Sequence, residues 1–215
     1  MRPRGVIIEL WARVFVPDRI RGLRNRLRLL RETQASQLAE FAVAMPLLVV
    51  LVVGIFDFGG AFTLKHKLAS AAREGARFAS NQSTRDLSNP DTNGKDQPTG
   101  VAPQSIDAIA DLVGSYLTAA NVNDCGLTAG PRNVSVSNLT WTFTANGGGC
   151  PGTVTLVINR GVTYTAGTMT VEASSVSVQY PYKWHFNSVI TLLVPGTNYA
   201  GLTNLNSAST MQNLN

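Results

Sequence analysis

Two acidic residues lie in or beside the most apolar stretch of the chain, where a charge is costly. Glu40 precedes residues 41–56, which contain no charged side chain, and Asp57 follows them. A carboxylate near hydrocarbon requires a cation or hydrogen-bond donors. Glu40 therefore predicts a positive partner, and cleavage between Ala35 and Ser36 would supply one as the new amino terminus of a neighbouring chain. The alternative is that Glu40 lies at the headgroups, where the start of a helix dipole favours negative charge.

The apolar run is long enough to cross a membrane. If Asp57 is tolerated, the run extends from Phe41 to Leu64, about 24 residues or roughly 36 Å of helix. The alternative is a buried core helix, but a helix apolar on all sides needs a larger core than the polar remainder of this chain provides. We therefore predict a transmembrane helix, in which Asp57 reaches headgroups or Lys65 of a neighbouring chain.

Small residues within and beyond this run predict close packing. Gly54, Gly59 and Gly60 would allow another helix to approach closely, although small residues also occur in membrane helices without such a role. After Leu64 the pattern becomes amphipathic, with a flat stripe suited to docking against a sheet, formed by Leu68, Ala72, Gly75, Ala76 and Ala79. These features predict one long helix, half in lipid and half supporting a head.

The sequence contains no recognisable catalytic or metal-binding motif. Its two histidines, His66 and His185, belong to no hydrolase or zinc pattern, and neither Cys125 nor Cys150 has a nearby metal-ligating partner. We therefore predict no enzyme activity, no cofactor and no metal. The cysteines are expected to form a disulfide in an exported head, where closing a ring of about 26 residues would contribute roughly 3 kcal/mol, although two free buried thiols remain an alternative.

The positive charge is concentrated at one end. Residues 1–35 carry nine arginines against three acidic residues, a net charge of +6, so the rest of the chain is close to neutral within the overall +5. The positive-inside rule places this basic leader in the cytoplasm and the remainder outside it, and a near-neutral body argues against nucleic-acid binding. The leader is expected to be an amphipathic helix on the inner membrane face or a disordered arm.

The remaining sequence predicts an α+β head over residues 105–215, joined to the anchor (36–80) by a polar loop over 81–104. A second amphipathic helix is expected over 105–120 with Ser105 as its N-cap. Strands are expected near 134–144, 152–159, 168–184 and 202–211, with Asn146 to Gly149 as a hairpin connection. Pro181 predicts that the end of the third strand lies at a sheet edge, where a neighbouring subunit could add a strand.

Several motifs occur in an order that resembles the TadE-like family of the tight-adherence (Tad, or Flp) type IV pilus system. They are Ser36-Gln-Leu-Ala-Glu40-Phe41, Ala44-Met-Pro46-Leu-Leu, Gly54-Ile-Phe-Asp57-Phe58-Gly59 and Ala71-Ala72-Arg73-Glu74-Gly75-Ala76-Arg77. The resemblance is dense over about residues 33–80 and looser in the closing strands. It departs from the family before the scissile bond, where Ala35 stands in place of the usual Gly.

The resemblance implies a structural minor pilin or pseudopilin of the bacterial inner membrane. Such a protein would be cut by a prepilin peptidase and would assist assembly, initiation or capping of a pilus together with other pilins and the pilus machinery. The alternative is an uncleaved single-pass membrane protein with an adhesin-like binding head, whose contact surface would use aromatic residues such as Trp141, Trp184 and Tyr199. An envelope hydrolase has no motif to support it.

Overall fold

The computed structural model describes residues 18–87, 102–128, 132–193 and 201–214 and divides the chain into two compact units, Met1–Val52 and Val53–Asn215. Helix α1 runs from Asp18 to Asn81 and contains Pro46 without ending there. The predicted long helix is thus present, and it begins inside the basic leader. Residues 1–17 of the leader and residues 88–101 of the predicted polar loop lie outside the described residues.

The second unit is an α+β head, as predicted. Its elements are helix α2 (Gln104–Ala119), strands β1 (Asn133–Ser137), β2 (Thr140–Ala145), β3 (Val154–Ala166) and β4 (Met169–Lys183), helix α3 (Phe186–Leu193) and strand β5 (Leu202–Gln212). The five strands form one sheet in the order β1-β2-β3-β4-β5, and each pair of neighbours is antiparallel. Antiparallel neighbours can be joined by short connections, and two residues each connect β1 to β2 and β3 to β4.

The head core lies between one face of this sheet and the two helices. Strands β2, β3 and β4 contribute alternating buried residues, and the stripe predicted on α1 is buried along its whole length. Gly75 lies at the closest approach, because a Cβ placed there would be 2.6 Å from Val113 of α2 and 3.2 Å from Val176 of β4. The small residues therefore bring the α1 backbone directly onto α2 and the sheet.

One sequence prediction about the strands needs correction and another is confirmed. The single strand expected over 134–144 is two strands, because Asn138 adopts a left-handed conformation (φ 53°) and forms a tight turn with Leu139. Asn tolerates this conformation better than most residues, so the turn needs no glycine. The end of strand β4 lies at a sheet edge on one side, as Pro181 predicted, because its pairing with β3 ends at Gln179. On its other side β5 pairs with it through Lys183.

Helix α2 begins differently from the prediction. Pro103, not Ser105, occupies the N-cap position, and it offers no side-chain hydrogen bond. The carboxylate of Asp86, from the segment after α1, accepts the Ser105 backbone N–H at 2.9 Å and so supplies the cap from another part of the chain. The opposite side of α2 is fixed by Arg132, which forms ion pairs with Asp107 (2.9 Å) and Asp111 (2.6 Å).

The predicted disulfide is present. Cys125 and Cys150 are bonded, with their Cα atoms 5.6 Å apart, and Cys150 lies in the β2–β3 connection that was predicted as a hairpin. Hydrogen bonds reinforce the link: the Asn123 amide donates to the Gly148 carbonyl at 2.6 Å, and the Gly147 N–H donates to the Cys125 carbonyl at 2.8 Å. The segment after α2 is therefore held to the sheet covalently and by the backbone.

Candidate functional site

The apolar part of α1 exposes large side chains. Within Ser36–Asn81 the helix is long and apolar enough to cross a membrane. The other described residues do not bury its most apolar stretch. Phe56, for example, is 77% exposed. Large exposed apolar residues recur through this stretch, including Leu38, Phe41, Val43, Leu47, Leu48, Leu51 and Ile55. An apolar helix without protein cover is what a membrane anchor requires.

The predicted processing and assembly residues lie on the same helix. The bond between Ala35 and Ser36 is inside α1, so the backbone there is helical. Glu40 is exposed and, within the part of the chain that the structure describes, it has neither a hydrogen bond nor an ion pair. The described residues of the same chain therefore do not supply the partner that the charge of Glu40 requires in an apolar setting.

The three predicted packing glycines differ in their surroundings. Gly54 and Gly59 face open space, since nothing lies within 4 Å of a Cβ built at either position. Gly60 packs against the head, where the Tyr182 hydroxyl would be 2.9 Å from such a Cβ. Gly60 thus lies against a side chain of the head, and close approach of another helix at Gly54, Gly59 or Gly60 remains a prediction.

Asp57 binds the head to α1 through several hydrogen bonds. It is only 5% exposed, and its Oδ2 accepts the backbone N–H groups of His185 (2.6 Å) and Phe186 (2.8 Å), the residues that begin helix α3. Its Oδ1 lies 3.0 Å from His185 Nδ1 and accepts the Tyr182 hydroxyl at 3.1 Å. A carboxylate at the start of a helix satisfies unpaired N–H groups and is favoured by the helix dipole.

This arrangement replaces the sequence interpretation of Asp57, which looked to headgroups or to Lys65 of a neighbour. The donors come from residues more than 120 positions away, so no local pattern identifies them. Burial, and then the adjacent carboxylate of Asp57, raise the pKa of Tyr182 above its ordinary value, so the phenol stays a neutral donor at physiological pH. The only signal available in the sequence was the cost of leaving Asp57 unpaired.

Aromatic rings surround the Asp57 contact. The Trp184 ring lies 5.2 Å from Phe58, 4.9 Å from Tyr182 and 5.5 Å from Phe186, between ring centroids and at tilted angles typical of aromatic pairs. The indole N–H donates to Thr203 Oγ1 at 2.8 Å, so its polar atom is satisfied. We refer to Phe58, Tyr182, Trp184 and Phe186 as the aromatic cluster.

The far end of α1 is held by a second charged contact. Arg160 is buried; it donates to the Ala79 carbonyl and, at 2.8 Å, to the Gln82 carbonyl. The Leu214 N–H donates to the Ser80 carbonyl at 3.1 Å. These donors satisfy carbonyl groups that a helix end leaves unpaired, and a cation there complements the helix dipole. Burial lowers the pKa of Arg160, which Asp86 partly counters.

The aromatic residues predicted for a contact surface differ in their surroundings, and the described residues contain no metal cluster. Trp141 is 3% exposed and belongs to the core, so it is wrong as a contact residue of a binding surface. Trp184 belongs to the aromatic cluster, and Tyr199 lies outside the described residues. Among residues 18–87, 102–128, 132–193 and 201–214, no group of three or more His, Cys, Asp or Glu side chains is placed to hold a metal ion.

The comparisons with known proteins concern the anchor. A family model described as TadE-like protein matches residues 35–77, a segment that begins at the residue before the predicted scissile bond and extends through Asp57 to the buried stripe of α1. Neither a curated protein nor a solved structure matches the chain. Residues 35–77 are therefore similar to TadE-like proteins, which confirms the family resemblance seen in the motifs of this segment.

Proposed function

We propose that this protein is a structural, non-catalytic minor pilin or pseudopilin that assists the assembly, initiation or capping of a Tad-type pilus. One observation carries the proposal: α1 joins an uncovered apolar stretch to a small-residue stretch packed in the head, and the TadE-like match covers both. Its partners would be other pilins, pseudopilins and the pilus machinery. Lipid before assembly and neighbouring helices after it would cover the same apolar surface.

The proposed orientation follows from charge. The arginine-rich leader stays in the cytoplasm and the disulfide-bonded head lies on the periplasmic or extracellular side of the inner membrane. The disulfide supports this placement, because such bonds persist in oxidising compartments and are rare in the cytoplasm. The head would thus be the part that faces outward.

Glu40 would direct assembly. It lies near the start of the apolar run with no partner in the described residues of its own chain, and helix packing in lipid is not driven by hydrophobicity alone. After a prepilin peptidase cuts between Ala35 and Ser36, Glu40 of one subunit would pair with the new amine of a neighbour. The pair offsets the cost of a charge in hydrocarbon and fixes the register between the two helices.

The first test is the mass and amino-terminal sequence of the protein from membranes and from sheared surface material. The proposal expects a mature chain of 180 residues that begins at Ser36, the 215 residues of the precursor less the 35 of the leader. A chain that keeps its arginines in both fractions would rule out filament assembly. It would leave the alternative, a membrane-tethered head with a binding role.

The second test is the substitution Glu40→Gln, with Glu74→Gln as the matched control. Both glutamates lie on α1, but Glu74 lies on the head half, where its one ion pair with a described residue is with Arg77 at 4.0 Å. We expect Glu40→Gln to leave membrane insertion and head stability unchanged and to reduce pilus yield, whereas Glu74→Gln leaves all three unchanged. Normal piliation with Glu40→Gln would remove Glu40 from the assembly mechanism.

A further inference from the structure

The aromatic cluster marks a sharp change of surroundings along α1. On the residues just before Asp57 the helix exposes large apolar side chains, Ile55 and Phe56. On the head side at the same level, Lys183 is exposed and the His185 ring is 80% exposed. Charged and titratable groups exposed in this way do not lie in hydrocarbon, so the boundary between hydrocarbon and water must fall close to this turn of the helix.

The residues at this boundary have the composition of a membrane interface. Trp and Tyr concentrate at the headgroup level, because their rings are apolar and their N–H or O–H groups remain hydrogen-bonded. Trp184 is half-buried with its indole N–H bonded to Thr203, and Phe58 remains largely exposed although it packs on Trp184. The cluster therefore presents an apolar ring surface whose polar atoms are already satisfied.

Helix α3 continues this surface. Its sequence, Phe186-Asn-Ser-Val-Ile-Thr-Leu-Leu193, contains five apolar residues in eight and no charged residue. Asp57 satisfies the N–H of Phe186 and so fixes the start of α3 to the membrane helix itself. Phe186, Val189 and Ile190 are each only partly buried by the head. A short uncharged helix with incompletely covered apolar residues at this level fits an interfacial position.

A groove opens on the same part of α1. It is open, has a volume of about 630 Å³, and is lined by residues of α1 between Ile55 and Lys67, by the segment from Asn121 to Asn123 and by Tyr180 on the sheet. Its exposed apolar residues are Ile55 and Phe56 of α1, and Lys67 adds a cation about three turns further along the helix. An apolar lining that ends at a cation matches the two ends of an anionic phospholipid.

We propose that the aromatic cluster and α3 form a lipid-binding surface that seats the head in the outer interfacial layer of the bilayer that α1 crosses. The ligand class is phospholipid, contacted at its headgroup and glycerol region. This inference rests on the proposed membrane anchoring. In this inference Asp57 fixes the depth of the head in the bilayer, because the residues that it binds hold the head at one level along α1.

The test uses the full chain in lipid nanodiscs and the fluorescence of Trp184. Replacing Trp11→Phe leaves two tryptophans in the chain, Trp184 and the core residue Trp141. Spin-labelled lipids with the quencher near the headgroup should quench part of the emission of this variant. Adding Trp184→Phe should abolish that quenching, because Trp141 is buried in the head, and aqueous acrylamide should have little effect on either protein.

A third variant separates this inference from the anchoring on which it rests. Val49→Trp, added to the Trp11→Phe, Trp184→Phe protein, places a tryptophan in the proposed span and should be quenched by lipids labelled deep in the acyl chain. If Val49→Trp is quenched but Trp184 responds to acrylamide and not to lipid, the interfacial surface is wrong and the anchor stands. If Trp184 responds to neither quencher, a protein contact covers it and the lipid assignment is wrong. If Val49→Trp is not quenched, the anchoring itself fails.

Discussion

The two halves of α1 both carry apolar residues, but these residues have opposite surroundings. Over residues 36–56 the apolar side chains are large and exposed, whereas over residues 57–81 the stripe is built mainly of alanine and glycine and is buried. Four alanines in residues 57–81 have no exposed surface, namely Ala71, Ala72, Ala76 and Ala79. Side-chain size separates the exposed apolar residues of the first half from the buried stripe of the second, because small residues allow backbones to approach.

The largest expected effect comes from adding volume to the buried half. Gly75→Leu would place a side chain where a Cβ alone already approaches Val113 to 2.6 Å, and overpacking of this kind costs about 3 kcal/mol. We expect the full chain in detergent micelles to lose the cooperative urea transition of the head, followed by the fluorescence of buried Trp141. The control is Gly54→Leu, on the exposed half, where nothing lies within 4 Å of the Cβ. Equal destabilisation by the two variants would contradict the division of α1 into halves.

The next effect concerns the end of the buried half. Arg160→Met keeps much of the side-chain volume but removes the hydrogen bonds that the guanidinium donates to the Ala79 and Gln82 carbonyls. Losing buried hydrogen bonds from a charged group should cost about 2 kcal/mol. We expect a lower urea midpoint for the head and faster hydrogen exchange in the last turn of α1, measured by mass spectrometry. An unchanged midpoint would mean that other groups replace the guanidinium.

A smaller effect is expected where the two halves meet. Asp57→Ala removes the acceptor that holds the start of α3, which should cost about 1 kcal/mol, as for the loss of a helix cap. Hydrogen exchange should accelerate in residues 184–193 while the sheet stays protected. Asp57→Asn, which keeps one acceptor oxygen, should have a weaker effect. If both variants exchange as the parent does, Asp57 does not hold α3.

The smallest effect is one of pH, in the disulfide-linked segment. Burial alone would raise the pKa of Asp124, but hydrogen bonds from Thr128 and from the Gly126 backbone outweigh it and hold the pKa below its ordinary value. A lowered pKa in the folded state contributes stability that is present above about pH 4 and lost as the pH falls through the folded pKa. Asp124→Asn should flatten this acid dependence in urea titrations between pH 5 and 2.5, at a cost of about 1 kcal/mol at neutral pH.

The anchor and the class of fold were predictable from sequence, because both depend on local periodicity. The stripe from Leu68 to Ala79 follows helical spacing, and the head strands alternate in the β pattern, so the long helix, the α+β class and the disulfide were all correct. The start of α2 was assigned to Ser105 because that residue type commonly caps helices. The cap instead comes from Asp86, which only the folded chain brings there.

The contacts that hold the head on α1 could not be predicted in the same way. Asp57 and Arg160 are buried charges that need partners, but those partners are separated from them by 78 to 129 residues in the sequence. A local pattern carries no information about pairs at that distance. Asp57 was expected to meet lipid or a neighbouring chain, and its own chain satisfies it.

The two charged contacts also have a mechanical meaning. Asp57 ties one end of the docked half of α1 to the segment around Tyr182 and Phe186, and Arg160 with Leu214 ties the other end to β3 and to the end of the chain. A pull along the helix axis would therefore load both ends and the whole buried stripe in shear, instead of peeling the helix from the sheet one turn at a time. We expect the junction to rupture as one unit in single-molecule force measurements, and to rupture in steps at lower force when either Asp57 or Arg160 is replaced.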